Sequence, residues 1–187
     1  MRLGIFGGTF NPIHIGHLVL AEMARETLRL DRVMFIPTGR PPHKSIPGLL
    51  PGVTRLKLVQ LAIQDHPAFE ASSIEITRPG PSYTINTVRW LHDRWPRAKL
   101  FLLIGQDMLT VRWFAWNEIK RLCTVVAASR PSTARPSRQR GVTWLAMPPM
   151  AVTSSDIRAR VAAGRSIRYL VPSQVERFIR RHRLYQA

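Results

Sequence analysis

The first seventeen residues constrain this chain more than any other stretch. A short apolar strand, Leu3 to Phe6, runs into Gly7-Gly8-Thr9-Phe10-Asn11-Pro12-Ile13-His14-Ile15-Gly16-His17, and an amphipathic helix follows. A glycine pair between a strand and a helix is a common α/β turn. Here it also lets backbone N–H groups approach an anion, and the helix N-terminus adds its positive end to the same spot. His14 and His17 are three apart with Gly16 between them, so both imidazoles can face the mouth of the loop where the helix begins. The stretch predicts a nucleotide phosphate site built from Gly7, Gly8, Thr9 and Phe10 with the two histidines. Taken alone, the histidines could equally be a surface pair or half of a metal site.

Strand and helix signals then alternate along the chain. Arg2 to Phe6 reads as a buried strand, Gly16 to Leu30 as a helix, and Arg32 to Pro37 as a second strand, which makes a βαβ unit. Thr38 to Gly52 is rich in Pro and Gly and reads as a loop, and Val53 to His66 has helical spacing. Phe69 to Arg78 contains a short extended run, Ser73 to Thr77, before the Pro79-Gly80-Pro81 turn. Ser82 or Thr84 can cap a helix running to Trp95. Lys99 to Ile104 is a strongly apolar strand ended by Gly105, a helix lies within Trp113 to Leu122, and strands follow at Thr124 to Ala128 and Val142 to Met147. Two helices, Ser155 to Ala163 and Pro172 to Arg183, close the chain. Strands separated by helices imply an α/β, Rossmann-like, doubly wound and mostly parallel sheet, covered on both faces, with ligands beyond the carboxyl ends of the strands.

At 187 residues the chain, 1–187, is expected to form a single domain with an adequate core and no need of disulfide or structural metal. Cys123 is its one cysteine, which excludes an intrachain disulfide and a multi-Cys zinc site, and it reads as a buried, inert thiol. No apolar stretch is long enough for a membrane span, so a cytoplasmic protein is expected. Lys and Arg number 28 against 11 Asp and Glu, a net charge of +17. Such a field attracts polyanions, and RNA is a partner to weigh. The basic residues are nevertheless spread along the chain, with local excesses at Arg130 to Arg140 and Arg177 to Arg183, and no RNA-binding aromatic motif accompanies them. Ser129 to Gly141 reads as a basic, flexible loop. Small anionic nucleotides would profit from the same field, so no specific nucleic acid is expected.

Two further constellations suit phosphate. Lys44, in the Gly39-Arg40-Pro41-Pro42-His43-Lys44 stretch after the second strand, supplies a mobile point charge on a proline-restricted loop. Thr153-Ser154-Ser155-Asp156-Ile157-Arg158 begins a helix, where hydroxyl caps leave N–H groups free and Arg158 can close a fork on phosphate oxygens. Asp107, in Gly105-Gln106-Asp107, ends the most apolar strand, either as a ligand group or as a turn residue capping the next helix.

The Gly-Gly-Thr-Phe-Asn-Pro-Ile-His-Ile-Gly-His string resembles the HxGH nucleotidylyltransferase superfamily and, within it, the bacterial nicotinate mononucleotide adenylyltransferases, which usually have aspartate where Asn11 stands. Pro-Pro-His-Lys at 41–44, Ser-Tyr-Thr at 82–84, Ser-Ser-x-Ile-Arg at 154–158 and, in a structural role, the closing Pro172-x-x-Val175-x-x-Phe178-Ile179 to Leu184-Tyr185 extend the resemblance over nearly the whole chain. It implies adenylyl transfer from ATP to nicotinate mononucleotide, with Mg²⁺ held through ATP phosphates and water and no protein metal site. His14, His17, Lys44 and Arg158 would be catalytic. Gly7, Gly8, Thr9, Phe10, His17, Gly105, Asp107, Ser154, Ser155 and Arg158 would bind ATP. Lys44, Tyr83, Thr84, Ile85, Trp113, Phe114 and Arg130 would bind the mononucleotide, with the Trp113-Phe114 pair stacking on its pyridine ring. Trp116 reads as packing, and the protein as a monomer or homo-oligomer. Another nucleotidylyltransferase, an enzyme taking the nicotinamide rather than the nicotinate mononucleotide, and an RNA-binding protein that kept the fold are the rival readings.

Overall fold

The computed structural model describes residues 1–42, 47–129 and 140–186. Among these described residues six strands form one sheet: β1 (Arg2–Gly8), β2 (Arg32–Pro37), β3 (Phe69–Ala71), β4 (Lys99–Gly105), β5 (Thr124–Ser129) and β6 (Val142–Ala146). Their order is β3-β2-β1-β4-β5-β6, and every pairing is parallel. Parallel neighbours need crossovers, which are supplied by α1 (Ile15–Thr27), α2 (Gly52–Ile63), α3 (Ile74–Thr77), α4 (Thr84–Arg94) and α5 (Trp116–Leu122); α6 (Ser154–Ala162) and α7 (Ser173–Arg181) follow β6.

Alternation along each strand divides the core. Phe6, Val33, Phe35, Leu103 and Val126 face one side, where they pack with Leu20 and Ala24 of α1, Leu58 and Val59 of α2, and Val175 and Ile179 of α7. Leu3, Ile5, Met34, Leu102 and Val125 face the other, under Ile85, Val88 and Leu91 of α4 and Ile119 of α5. Cys123 belongs to this second layer, and burial pushes its thiol up to about 12, the inert state expected of it.

The progression of strands across the sheet reverses between β1 and β4. The register pairing these strands runs from Arg2 opposite Lys99 to Ile5 opposite Leu102, yet β1 continues to Gly8 and β4 to Gly105. Past the last pair the two strand ends separate, and a crevice opens at the switch point, where ligands of such sheets bind.

Two expectations require correction. Ser73 to Thr77 is not extended: its β-branched residues suggest strand, but Ile76 and Thr77 donate their N–H groups to the Ser73 carbonyl and the segment is the short helix α3. The edge strand is Phe69–Ala71, beside Val33–Phe35. Neither Ser82 nor Thr84 caps α4 with its side chain; the N-cap is Tyr83, and the Ser82 hydroxyl instead accepts from the N–H groups of Gly39 (3.0 Å) and Arg40 (3.1 Å).

Three helices end in one motif. After α1, α6 and α7 the residues Arg29, Gly164 and Arg183 take φ of 48°, 65° and 49°. In each the next residue donates back to the third-last helical carbonyl: Leu30 to Arg25, Arg165 to Arg160, and Leu184 to Ile179.

Candidate active site

A cavity of about 450 Å³ occupies the crevice, with the ends of β1 and β4 as its floor. Gly7, Gly8 and Thr9 line one side with His14 and His17. The loop is shaped from below. Phe10 is buried, its ring packs edge-on against Phe6 at 5.5 Å, and a Cβ on Gly8 would stand 2.9 Å from that ring. Any larger residue at position 8 would therefore lift the loop off its aromatic base. Phe10 has φ 47°, a left-handed conformation that bulky residues adopt only when their surroundings hold them there.

The histidines are set by the start of α1. His14 is its N-cap residue, and the two imidazoles stack with centroids 3.7 Å apart. The backbone N–H of His14 donates to His17 Nδ1 at 3.2 Å. An imidazole that accepts at Nδ1 carries its proton on Nε2, so this bond selects the tautomer that presents an N–H donor from the far side of the ring. Gly16 is part of the same device: a Cβ there would stand 3.1 Å from His14 Nδ1.

Opposite them lie Tyr83 and Thr84 at the start of α4, and Gly105 and Asp107 at the end of β4. Asp107 is exposed within a 3₁₀ turn, Gln106–Thr110, and it caps nothing with its side chain. Trp113 and Phe114 close that end of the cavity with Tyr83, whose ring lies 5.0 Å from that of Phe114. The Trp113 indole N–H donates to the Met108 carbonyl at 2.8 Å, which folds the short segment after Asp107 back on itself. Trp116 packs against Trp113 at 5.4 Å in the second core layer, as expected.

At the amino end of α6, Thr153 caps the Asp156 N–H at 3.1 Å, and Ser154 lines the cavity while donating its hydroxyl to the Pro12 carbonyl at 2.8 Å. Ser155 and Arg158 are not part of the cavity wall: Arg158 donates to the Asn11 carbonyl at 2.8 Å and to Ser155 Oγ at 3.2 Å. Ile85 gives its side chain to the core and only its backbone to the head of α4. Lys44 and Arg130 lie outside the described residues.

Sequence reasoning missed two buried charged groups. Arg55, 1% exposed, donates to four carbonyls, those of Leu50 (2.9 Å), Thr9 (2.7 Å), Thr38 (2.6 Å) and, at 3.5 Å, Gly39. Burial pulls its guanidinium below the usual value. Its place on the buried face of α2, three and four residues before Leu58 and Val59, was the available signal. Glu75 lines the cavity and accepts the Thr87 hydroxyl at 2.8 Å; burial pushes its carboxyl up to about 7. It stood out as an acid between Ile74 and Ile76. Among the described residues no group of three or more His, Cys, Asp or Glu could hold a metal ion, and no helix is long and apolar enough to cross a membrane.

The cytidylyltransferase-like family profile matches residues 5–160, which span β1 to α6 and every wall of this cavity. A protein of Thermus thermophilus, named "probable nicotinate-nucleotide adenylyltransferase", is 40% identical over 188 residues, covering 100% of both chains. The chain belongs to the nicotinate-nucleotide adenylyltransferase branch of the cytidylyltransferase-like family. Other members of that branch include proteins of Thermomicrobium roseum, 43% identical over 99% of this chain and 92% of its own, and of Geobacter sulfurreducens, 41% identical over 99% and 98%. The nicotinic acid mononucleotide adenylyltransferase of Plasmodium falciparum, solved in complex with NaAD, shares the fold with a TM-score of 0.79 at 14% identity, over 98% of this chain and 97% of its own.

Proposed function

We propose that this nucleotidylyltransferase joins ATP and nicotinate mononucleotide to give nicotinate adenine dinucleotide and pyrophosphate, a step of NAD biosynthesis. One observation carries the reading: a single cavity at the sheet's switch point holds a glycine loop with its tautomer-fixed histidine on one side and an aromatic wall on the other. Relatives at about 40% identity over their full length bear the matching name.

An oxygen of the mononucleotide 5′-phosphate attacks the ATP α-phosphorus. A P–O bond forms there as the bond to the bridging oxygen breaks, and pyrophosphate leaves with the electron pair. No covalent nucleophile is required, because such transfers ask the protein for positioning and charge stabilisation. His17 donates from Nε2 to an α-phosphate oxygen beside His14, and the N–H groups of Gly8 to Phe10 cradle the phosphates. The helix start at Ser154 and Ser155 receives the β and γ phosphates. Arg158 keeps one N–H on Asn11 and offers others to the departing pyrophosphate, with Lys44 in support. Asp107 and Gly105 face the ATP nucleoside. The pyridine ring stacks on Trp113 and Phe114, its carboxylate reaches the N–H groups at the head of α4 beside Tyr83, and Arg130 serves the substrate phosphate. The described donor set offers no protein cage, which fits Mg²⁺ arriving on ATP and retaining water; bound there it neutralises triphosphate charge. In this reading 1–187 works as one cytoplasmic nucleotidylyltransferase domain.

The test is pyrophosphate release from ATP and Mg²⁺ with nicotinate or nicotinamide mononucleotide. The acid is expected to be strongly preferred, and His17→Ala to lower turnover on the order of 10²-fold or more with an unchanged circular dichroism spectrum. Activity only with the amide would overturn the substrate, and near-normal turnover in the variant would overturn the role of His17.

A further inference from the structure

Asn11 sits between the phosphate loop and the histidines, 2% exposed, and three separate segments meet on it. Its side-chain amide donates to the Gly48 carbonyl at 3.0 Å. Its Oδ1 accepts from the Leu50 N–H at 3.3 Å and from the Tyr185 hydroxyl at 2.9 Å. Its own carbonyl accepts from Arg158 at 2.8 Å. With Arg55 holding the Thr9 carbonyl at 2.7 Å, both neighbours of the left-handed Phe10 are fixed. That conformation persists only while its surroundings over-determine it, and the N–H groups aimed at phosphate belong to the same few residues.

The reach of Tyr185 is built by the end of α7. Arg183 turns the chain out of the helix at φ 49°, Leu184 donates back to the Ile179 carbonyl at 3.0 Å, and Tyr185 at φ 62° turns inward. We propose that Tyr185 is a positioning residue for adenylyl transfer, acting through Asn11 on the phosphate loop; this rests on the function proposed above. Burial raises its hydroxyl well beyond the ordinary tyrosine value, against the opposing pull of Arg158 and Arg55, and the hydroxyl is a proton donor at neutral pH. Removing the hydroxyl leaves Asn11 Oδ1 with the longer of its two bonds. The amide is then free to tilt, and Phe10 with its N–H relaxes away from the phosphates.

A double-mutant cycle reads this directly. Tyr185→Phe keeps the ring and deletes the donor, and is expected to lower kcat about tenfold. KM for nicotinate mononucleotide should stay within about twofold, because Tyr83 and Trp113 are untouched, and the melting temperature within a few degrees. In an Asn11→Ala background, or Asn11→Ser if the alanine variant does not fold, the same change should alter kcat less than about twofold, since the relay is already gone. Wild-type kcat in Tyr185→Phe, a loss confined to KM, or an equal loss in both backgrounds overturns the proposal. Wild-type silence with both mononucleotides would count against the function instead. The cycle is then read as ATP affinity by calorimetry, with the same pattern of about tenfold against less than twofold expected and an equal loss overturning it.

Discussion

Replacing Glu75 with glutamine should make stability less dependent on pH, and the size of the change follows from where the carboxyl lies. Glu75 is 6% exposed, with the Thr87 hydroxyl on one oxygen at 2.8 Å and Arg78 reaching that hydroxyl at 3.2 Å. Burial raises its pKa from 4.5 to about 7, and Thr87, Arg78 and Ser82 only partly oppose it. Below pH 4.5 the group is protonated in both the folded and unfolded chain and contributes no pH dependence. Between 4.5 and about 7 the unfolded chain releases the proton while the folded chain keeps it, so stability falls as pH rises. That interval, at about 1.36 kcal/mol per pH unit, comes to about 3 kcal/mol, lost by pH 8. Glutamine is close in shape to the protonated acid and cannot ionise. Unfolding in guanidinium at pH 5, 6, 7 and 8 should show Glu75→Gln near wild type at pH 5 and gaining on it by up to about 3 kcal/mol at pH 8. Groups common to both proteins cancel in the difference. A difference that stays flat across this range would refute the argument that desolvation dominates at Glu75.

Arg55→Met should cost about 3 kcal/mol or more, because it strands the carbonyls of Thr9, Thr38 and Leu50 without the donor that joins them. Chemical unfolding measures it, and a loss under about 1 kcal/mol would mean that water replaces the guanidinium freely. Gly16→Ala separates helix stability from catalysis. Alanine gains up to about 1 kcal/mol of helix propensity, but its methyl presses on His14 from 3.1 Å. The melting temperature should hold or rise while turnover falls about tenfold, and unchanged turnover would show that the placement of the His14 ring is not critical.

The alternation of strands and helices was legible because buried parallel strands are continuous apolar runs, such as Leu100 to Ile104, that no polar residue interrupts. The loop from Gly7 to His17 was legible for a related reason: the phosphate role proposed for it rests on contiguous backbone. Strand order was not, since nothing in β1 itself says that β2 and β4 flank it. Ser73 to Thr77 misleads because β-branched residues state a preference that Glu75 overrides by turning toward Thr87. Ser82 reads as a local cap, yet it reaches back 43 residues to Gly39. Asn11 and Tyr185 share that difficulty. They meet across 174 residues, so no periodicity could announce the pair, whereas the helical spacing of Arg55 with Leu58 and Val59 announces its burial but not the carbonyls it joins.

The loop proposed to hold phosphate is spelled in one short stretch, but the groups that steady it follow far downstream. Ser154 meets Pro12 across 142 residues, Arg158 meets Asn11 across 147, and Tyr185 meets Asn11 across 174. At about 5–20 residues per second, a ribosome takes roughly 7 to 35 seconds to bring those partners out after the loop has emerged. A nascent chain therefore displays its nucleotide signature long before it can hold the loop in shape.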